Sequence, residues 1–193
     1  MKQFVSVILL IFLFGMNVAA QEIDCDSTLE IWEIQGQTDI PNCLSESVIT
    51  TENIVTALSA EGFFMQTAGE GDGDPLTSDG IYVFTGFPPI GWGIEVGHAV
   101  SVDGRVKEFY NFTRLEVTGQ RRITIVSEGN PLPEPINLYD ASLEYLEDGT
   151  HPMERYEGMR VTLTDAIVTA PTNQFDEFGV TLTGERSFRE PGI

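Results

Sequence analysis

Basic residues are scarce in this chain: ten Lys and Arg stand against thirty Asp and Glu in 193 residues. A field of that sign repels phosphate backbones and excludes a generically basic nucleic-acid binder. Histidine is almost missing as well. The two present, His98 and His151, sit in no nucleophile, metal or acid–base pattern, and no Ser elbow, P-loop or paired-His motif occurs. The chain therefore carries no recognisable catalytic machinery. Cysteine is limited to Cys25 and Cys43, which excludes a disulfide-dense scaffold. Long apolar runs are missing beyond the first twenty residues, so no later segment is expected to enter a membrane.

The one apolar run has the layout of an export signal. Met1-Lys2-Gln3 supplies a positive start, Phe4 to Phe14 is interrupted only by Ser6, and Val18-Ala19-Ala20 forms a small-x-small site before Gln21. A membrane anchor would need about 20 apolar residues, and Gln21-Glu22-Ile23-Asp24 cuts this run short. Residues 1–20 are thus expected to be a cleaved signal peptide, and the protein to be secreted, into the extracellular space or a periplasm. No cysteine follows the small residues directly, which argues against a lipid anchor. Cleavage removes Lys2 and leaves nine basic residues, a formal charge of −21. The acids are spread along the chain and apolar residues remain plentiful, so a globular protein is expected rather than a disordered one.

Cys25 and Cys43 lie eighteen positions apart. In an oxidising compartment two such thiols most simply form one disulfide, worth about 3 kcal/mol by loop closure. A metal site is the other reading, but no third Cys and no His lies nearby.

From residue 29 onward the chain reads as strands. Leu29 to Ile34 alternates apolar with polar. Val48 to Leu58 is rich in Val, Ile and Thr. Gly62–Gln66 and Gly80–Phe84 are short apolar runs opened by glycine, Val96 to Val106 alternates, and Thr113 to Val126 adds further strand material. Five or six strands in about a hundred residues suit an all-β, OB-like Greek-key barrel. This first module is expected over 21–129. A Pro-rich linker over 130–139 follows, with Pro131, Pro133 and Pro135. A second module is expected over 140–193, opening on a short helix from Asp140 to Leu146.

The second stretch repeats the first. Val48–Ala57 aligns without gaps on Val161–Ala170, with six of ten positions identical and Glu52 facing Asp165. An apolar segment with a glycine follows each copy, Gly62-Phe63-Phe64-Met65 in one and Phe178-Gly179-Val180 in the other. Two tandem OB-like barrels are expected, the second incomplete. A barrel lacking its last strands would expose an open edge, so a continuation beyond Ile193 is expected.

Three stretches carry candidate chemistry. Glu70, Asp72, Asp74 and Asp79 crowd a Gly-rich loop of the kind a hard cation such as Ca²⁺ prefers. The loop is not an EF-hand, since Leu76 and Thr77 fall where a ligand and a glycine are required. The alternative is a hairpin loop whose Asp and Gly residues serve its turns. Next, Arg105, Lys107, Arg114, Arg121 and Arg122 are interleaved with Phe109, Tyr110 and Phe112. Aromatics beside cations are what single-strand-binding barrels use; the alternative is a hairpin whose aromatics fill the core. Third, Phe87 to Gly93 forms an aromatic loop able to stack on a base or a sugar, or to pack. Asn111-Phe112-Thr113 also fits a glycosylation sequon.

Several of these stretches resemble the N-terminal OB-like region of bacterial extracellular nucleases. They are Ile31–Gly36, Glu61–Gln66 running on through Gly71–Phe84, Val96–Gly104 with Glu108-Phe109-Tyr110, Arg155–Val161 and Arg189–Gly192. In that family such modules precede an endonuclease/exonuclease/phosphatase domain similar to deoxyribonuclease I, which uses Mg²⁺ or Ca²⁺ to hydrolyse phosphodiesters. The resemblance implies a non-catalytic front for such an enzyme, with extracellular DNA and the chain's own C-terminal nuclease domain as partners. No catalytic residue is carried over, because that domain's His, Asp, Glu and Asn set is absent. His98 departs from the family, which usually has an acidic residue there. A stand-alone secreted binding or adhesion module, for polysaccharide or a partner protein, is the competing expectation.

Overall fold

The structure, a computed structural model, describes residues 23–138, 149–172 and 178–181. The signal segment, the helix expected from Asp140 and the Arg189–Gly192 stretch lie outside the described residues.

Five strands close into a barrel: β1 (Ser47–Leu58), β2 (Gly62–Gln66), β3 (Gly80–Phe84), β4 (Ala99–Glu108) and β5 (Thr113–Glu116). Around the barrel the order is β1-β2-β3-β5-β4, and β4 pairs back onto β1. The β3–β5 pair is parallel and its neighbours are antiparallel, so the fold is all-β and OB-like. The second half of the expected strand 113–126 is separate: β6 (Ile123–Ser127) pairs with the start of β4, beyond a turn over Gln120–Arg122.

The inward face is apolar by alternation. Val48, Val55, Phe63, Met65, Ile81, Val83, Val100, Val102, Val106 and Leu115 are all buried. Strand β1 keeps its face toward the core across a bulge. Val48 and Thr50 point in before it, and Asn53 and Val55 after it, because the register shifts between Thr50 and Asn53. One extra residue reverses the parity of the alternation. Glu52 occupies the bulge with φ at 61°, and Asn53 Nδ2 donates to Thr50 Oγ1 across it at 2.8 Å.

The strand expected over Leu29–Ile34 is instead a helix, α1 (Ile31–Gln35). Its buried residues Ile31, Ile34 and Gln35 follow helical spacing, which the alternation of so short a run conceals. The Glu33 carboxylate accepts the Glu30 N–H at 2.9 Å and closes the first turn. Gln35 Nε2 then donates to the Gly80 carbonyl at 2.6 Å, pinning the helix to β3. Cys25 and Cys43 are disulfide-bonded, tying the segment before α1 to the one after it. A metal site at this pair is thereby excluded.

Beyond the linker, β7 (Ile136–Asn137) runs parallel to β8 (Val161–Thr162), and β9 (Ile167–Val168) pairs antiparallel with β10 (Val180–Thr181). Residues 157–160, just before β8, dock on the barrel end. There Gly158 lies against Gly80 and Ile81 so closely that a Cβ on Gly158 would sit 2.7 Å from Ile81 N. Ser78 Oγ donates to the Glu157 carbonyl at 2.6 Å, and the Arg160 N–H donates to Gln66 Oε1 at 3.0 Å.

Candidate functional site

The outward face of β2, β3, β5 and β4 forms a grid. Register places Phe64, Tyr82, Arg114 and Lys107 in one row across the strands. The next row holds Gly62, Phe84, Glu116 and Arg105. Gly62 is required by what covers it: a Cβ there would meet the Val83 carbonyl at 2.1 Å and the Tyr82 hydroxyl at 2.6 Å. Tyr82 thus lies across the glycine, its hydroxyl 2.8 Å from Ser59 Oγ.

The β4–β5 hairpin folds its tip over this grid. Phe112 packs against Tyr82 and Phe64, with ring centroids 5.8 and 6.2 Å apart, and Phe64 and Tyr82 are themselves 4.9 Å apart. The Arg114 guanidinium sits between two rings, 4.4 Å from that of Phe84 and 4.2 Å from that of Phe109. It also pairs with Glu116 at 2.5 Å. Phe109 stands edge-on to Tyr110 at 4.7 Å. Tyr110 and Asn111 both adopt left-handed backbone at the tip, and Tyr110 is 91 % exposed. The result is a half-exposed aromatic surface with one guanidinium in contact with two of its rings.

The structure divides the expected basic set. Lys107, Phe109, Tyr110 and Arg114 meet on this face. Arg105 is one row away, and its Nε donates to the Ser45 carbonyl at 2.7 Å. Arg122 pairs with Asp103 at 2.5 Å. Asp103 lies four residues from Lys107 along β4, about 13 Å at strand rise. Arg121 is exposed in the neighbouring turn. Phe64, Tyr82 and Phe84 belong to the face but were not among the expected site residues. Their signal is the strand period: with Phe63, Met65, Ile81 and Val83 committed inward, the aromatics between them face out.

The acidic loop uses its carboxylates on itself. Asp72 accepts the Asp74 N–H at 2.9 Å and the Thr77 hydroxyl at 2.8 Å, while Asp74 accepts the Leu76 N–H at 2.9 Å. Asp79 is buried, accepts the Asp72 N–H at 3.3 Å and lies over Gly71. Burial raises its pKa, and the negative charge of Asp72 adds to that rise. Glu70 also borders the cleft beside this loop. Among the described residues, no three His, Cys, Asp or Glu side chains are grouped to hold a metal ion. The Phe87–Gly93 loop winds into a turn over Pro89–Trp92, and Trp92 packs against the core with Phe87 edge-on at 4.6 Å.

A second acidic group closes the base of the β4–β5 hairpin. Glu157 Oε1 accepts the Thr113 N–H at 2.7 Å, and Glu108 Oε2 accepts the Thr113 hydroxyl at 2.9 Å. Burial pushes the Glu157 pKa up to about 8, and the adjacent Glu154 charge pushes the same way. Burial also raises Glu154. Each carboxyl is held above the ordinary range mainly by its burial. No helix among the described residues is long and apolar enough to cross a membrane. Comparison with protein families, with curated proteins and with solved structures finds nothing that matches this chain.

Proposed function

We propose that this chain is the non-catalytic front of a secreted nuclease, built from two OB-like modules that position single-stranded substrate for a metal-dependent phosphodiesterase domain beyond Ile193. The observation that carries the reading is the Phe64–Tyr82–Phe112 surface with Arg114 between Phe84 and Phe109. The β2–β3 face and the β4–β5 loop are where OB barrels take oligonucleotides and oligosaccharides. Aromatic faces give stacking and an adjacent cation takes a phosphate, a combination suited to single strands of any sequence. The disulfide fits an oxidising compartment, as export through residues 1–20 requires.

Matched hydrogen bonding in the two halves supports the tandem arrangement. The Leu29 N–H donates to the Ile49 carbonyl at 2.8 Å, and the Leu138 N–H donates to that of Thr162, the repeat equivalent of Ile49, at 3.1 Å. The pairs Ile54↔Gln66 and Val55↔Met65 recur as Ile167↔Thr181 and Val168↔Val180.

A second reading is favoured by the charge. Arg114 and Arg122 are already paired with carboxylates, and a protein of this acidity repels polyanions. On that reading the same aromatics stack on the sugar rings of a neutral polysaccharide. Titrating the secreted chain with a short oligothymidylate and with a neutral glucan oligosaccharide, at low and moderate salt, separates the two. The nuclease reading expects oligothymidylate binding that weakens with salt, by a log–log slope of about 0.7 per phosphate contacted. Glucan binding indifferent to salt would replace it with the second reading. Absence of both would remove the aromatic face as a binding surface.

A further inference from the structure

At the end of β2 a cleft of about 590 Å³ opens between the acidic loop, the Pro-rich linker and the turn Glu154–Tyr156. That volume lies within the range of small-molecule sites, about 300–1,000 Å³. Pro131, Leu132, Pro133 and Met159 line it, together with the carboxylates of Glu70, Asp74, Asp79 and Glu134.

Arg155 lines this cleft. Only 8 % of its surface is exposed, and its Nε has no hydrogen-bond partner. Neither ion pair among the described residues includes it. Its neighbour Arg160, by contrast, donates to the Pro133 carbonyl. A guanidinium N–H taken out of water without a partner is costly, since nothing repays its lost hydration, and here that holds for Nε. The planar fork matches a carboxylate with two parallel hydrogen bonds.

We propose that this cleft is a binding site for a ligand with a single carboxylate and an apolar body, the carboxylate seated on Arg155. The linker prolines and Met159 receive the apolar part. The carboxylates that line the cleft repel a second negative charge, so polyphosphates are rejected and a cationic far end is welcome. A free organic acid and the C-terminus of a peptide share this chemistry.

The test uses the intact secreted chain. It is titrated with N-acetyl-phenylalanine, with the amide of that compound, and with a pentapeptide ending in Phe as free acid and as amide. Binding is followed on the Arg155 Nε–H resonance, assigned by its loss in Arg155→Met. The free acids are expected to shift that resonance and saturate, with the amides at least about tenfold weaker. The tighter of the two acids tells a small-molecule site from a peptide site. Arg155→Met is expected to lose the preference for acid and to melt no lower than the parent, because no partner is lost. Acid and amide binding alike, or no shift up to about 20 mM acid, would overturn the proposal. A melting point several degrees lower in Arg155→Met would also overturn it, by making the guanidinium a structural member.

Discussion

Glu52 and Asp165, 113 positions apart, both hold left-handed backbone, with φ at 61° and 56°. Left-handed conformation costs a residue with a Cβ about 1–2 kcal/mol, and the proposed tandem arrangement accounts for its recurrence at aligned positions. In β1 that conformation belongs to the bulge that keeps both halves of the strand facing the core. Glu52→Gly is expected to leave stability within about 0.5 kcal/mol of the parent, as relieved strain offsets the added chain freedom. Glu52→Val, β-branched, is expected to cost about 2 kcal/mol or more in chemical denaturation. The same two substitutions at Asp165 should follow the same order, read by amide exchange over 161–168. Equal effects of Gly and Val at either site would remove the shared bulge.

The Cys25–Cys43 bond closes a loop spanning eighteen positions. Replacing both cysteines with serine is expected to lower unfolding free energy by about 3 kcal/mol. The urea midpoint should fall while the slope stays near that of the parent. An unchanged midpoint would mean that α1 and the barrel hold the segment without the bond.

Arg114 is the cation most tightly built into the aromatic face, with rings on both sides and Glu116 beside it. Arg114→Lys keeps the charge but loses the planar stack. It should weaken oligothymidylate binding several-fold while changing the salt slope little. Tyr110→Ala, at the most exposed ring, should lose about 1–3 kcal/mol of stacking with no effect on stability. Arg121→Ala, on a turn well away from this face, should leave affinity unchanged. A loss at Arg121 equal to that at Arg114 would move the site to the β4–β6 side.

The barrel was legible because its code is short-range. Runs of Val, Ile, Phe and Thr opened by glycine specify strands, and the turns between them are polar. Helix α1 was not, because a five-residue run alternates and repeats at helical spacing equally well; its pairing with Gly80, forty-five positions away, decides. The aromatic face was half legible. Phe109, Tyr110 and Arg114 are neighbours in sequence, whereas Phe64, Tyr82 and Phe84 reach them only through the β2–β3–β5 register. Arg155 gave no sign at all, since burial without a partner is a property of three dimensions.

The acidic loop offers a prediction about calcium. Asp72 and Asp74 already accept three hydrogen bonds from within the loop, and Asp79 holds the Asp72 N–H. A cation would have to displace these before gaining its own oxygen shell. Millimolar Ca²⁺ is therefore expected to leave the melting temperature unmoved. A rise of several degrees, lost in Asp72→Asn, would instead make the loop a calcium site.

The last prediction concerns pH and the docking of residues 154–160. Glu157 rises from an ordinary 4.5 to about 8 in the folded chain, mainly through burial, with Glu154 and Glu108 adding negative charge. Between those values the folded chain keeps a proton that the unfolded chain has released. Stability from this group is then complete below about pH 4.5, declines as pH rises toward 8, and is fully lost above it. Deprotonation places a second charge against Glu154 and a third near Glu108, so repulsion acts on the contact that seats Gly158 against Gly80. Melting temperature should fall from pH 5 to about pH 8.5, and amide exchange over 154–160 should accelerate before exchange in β1–β5. Glu157→Gln retains an acceptor for the Thr113 N–H and removes the titrating group, so it should flatten the upper part of that profile. His151 lies close enough to Glu154 to oppose its rise. A His151→Gln control is expected to leave the slope above pH 7.5 in place. A Glu157→Gln variant with the full parental slope would assign the pH dependence to other groups.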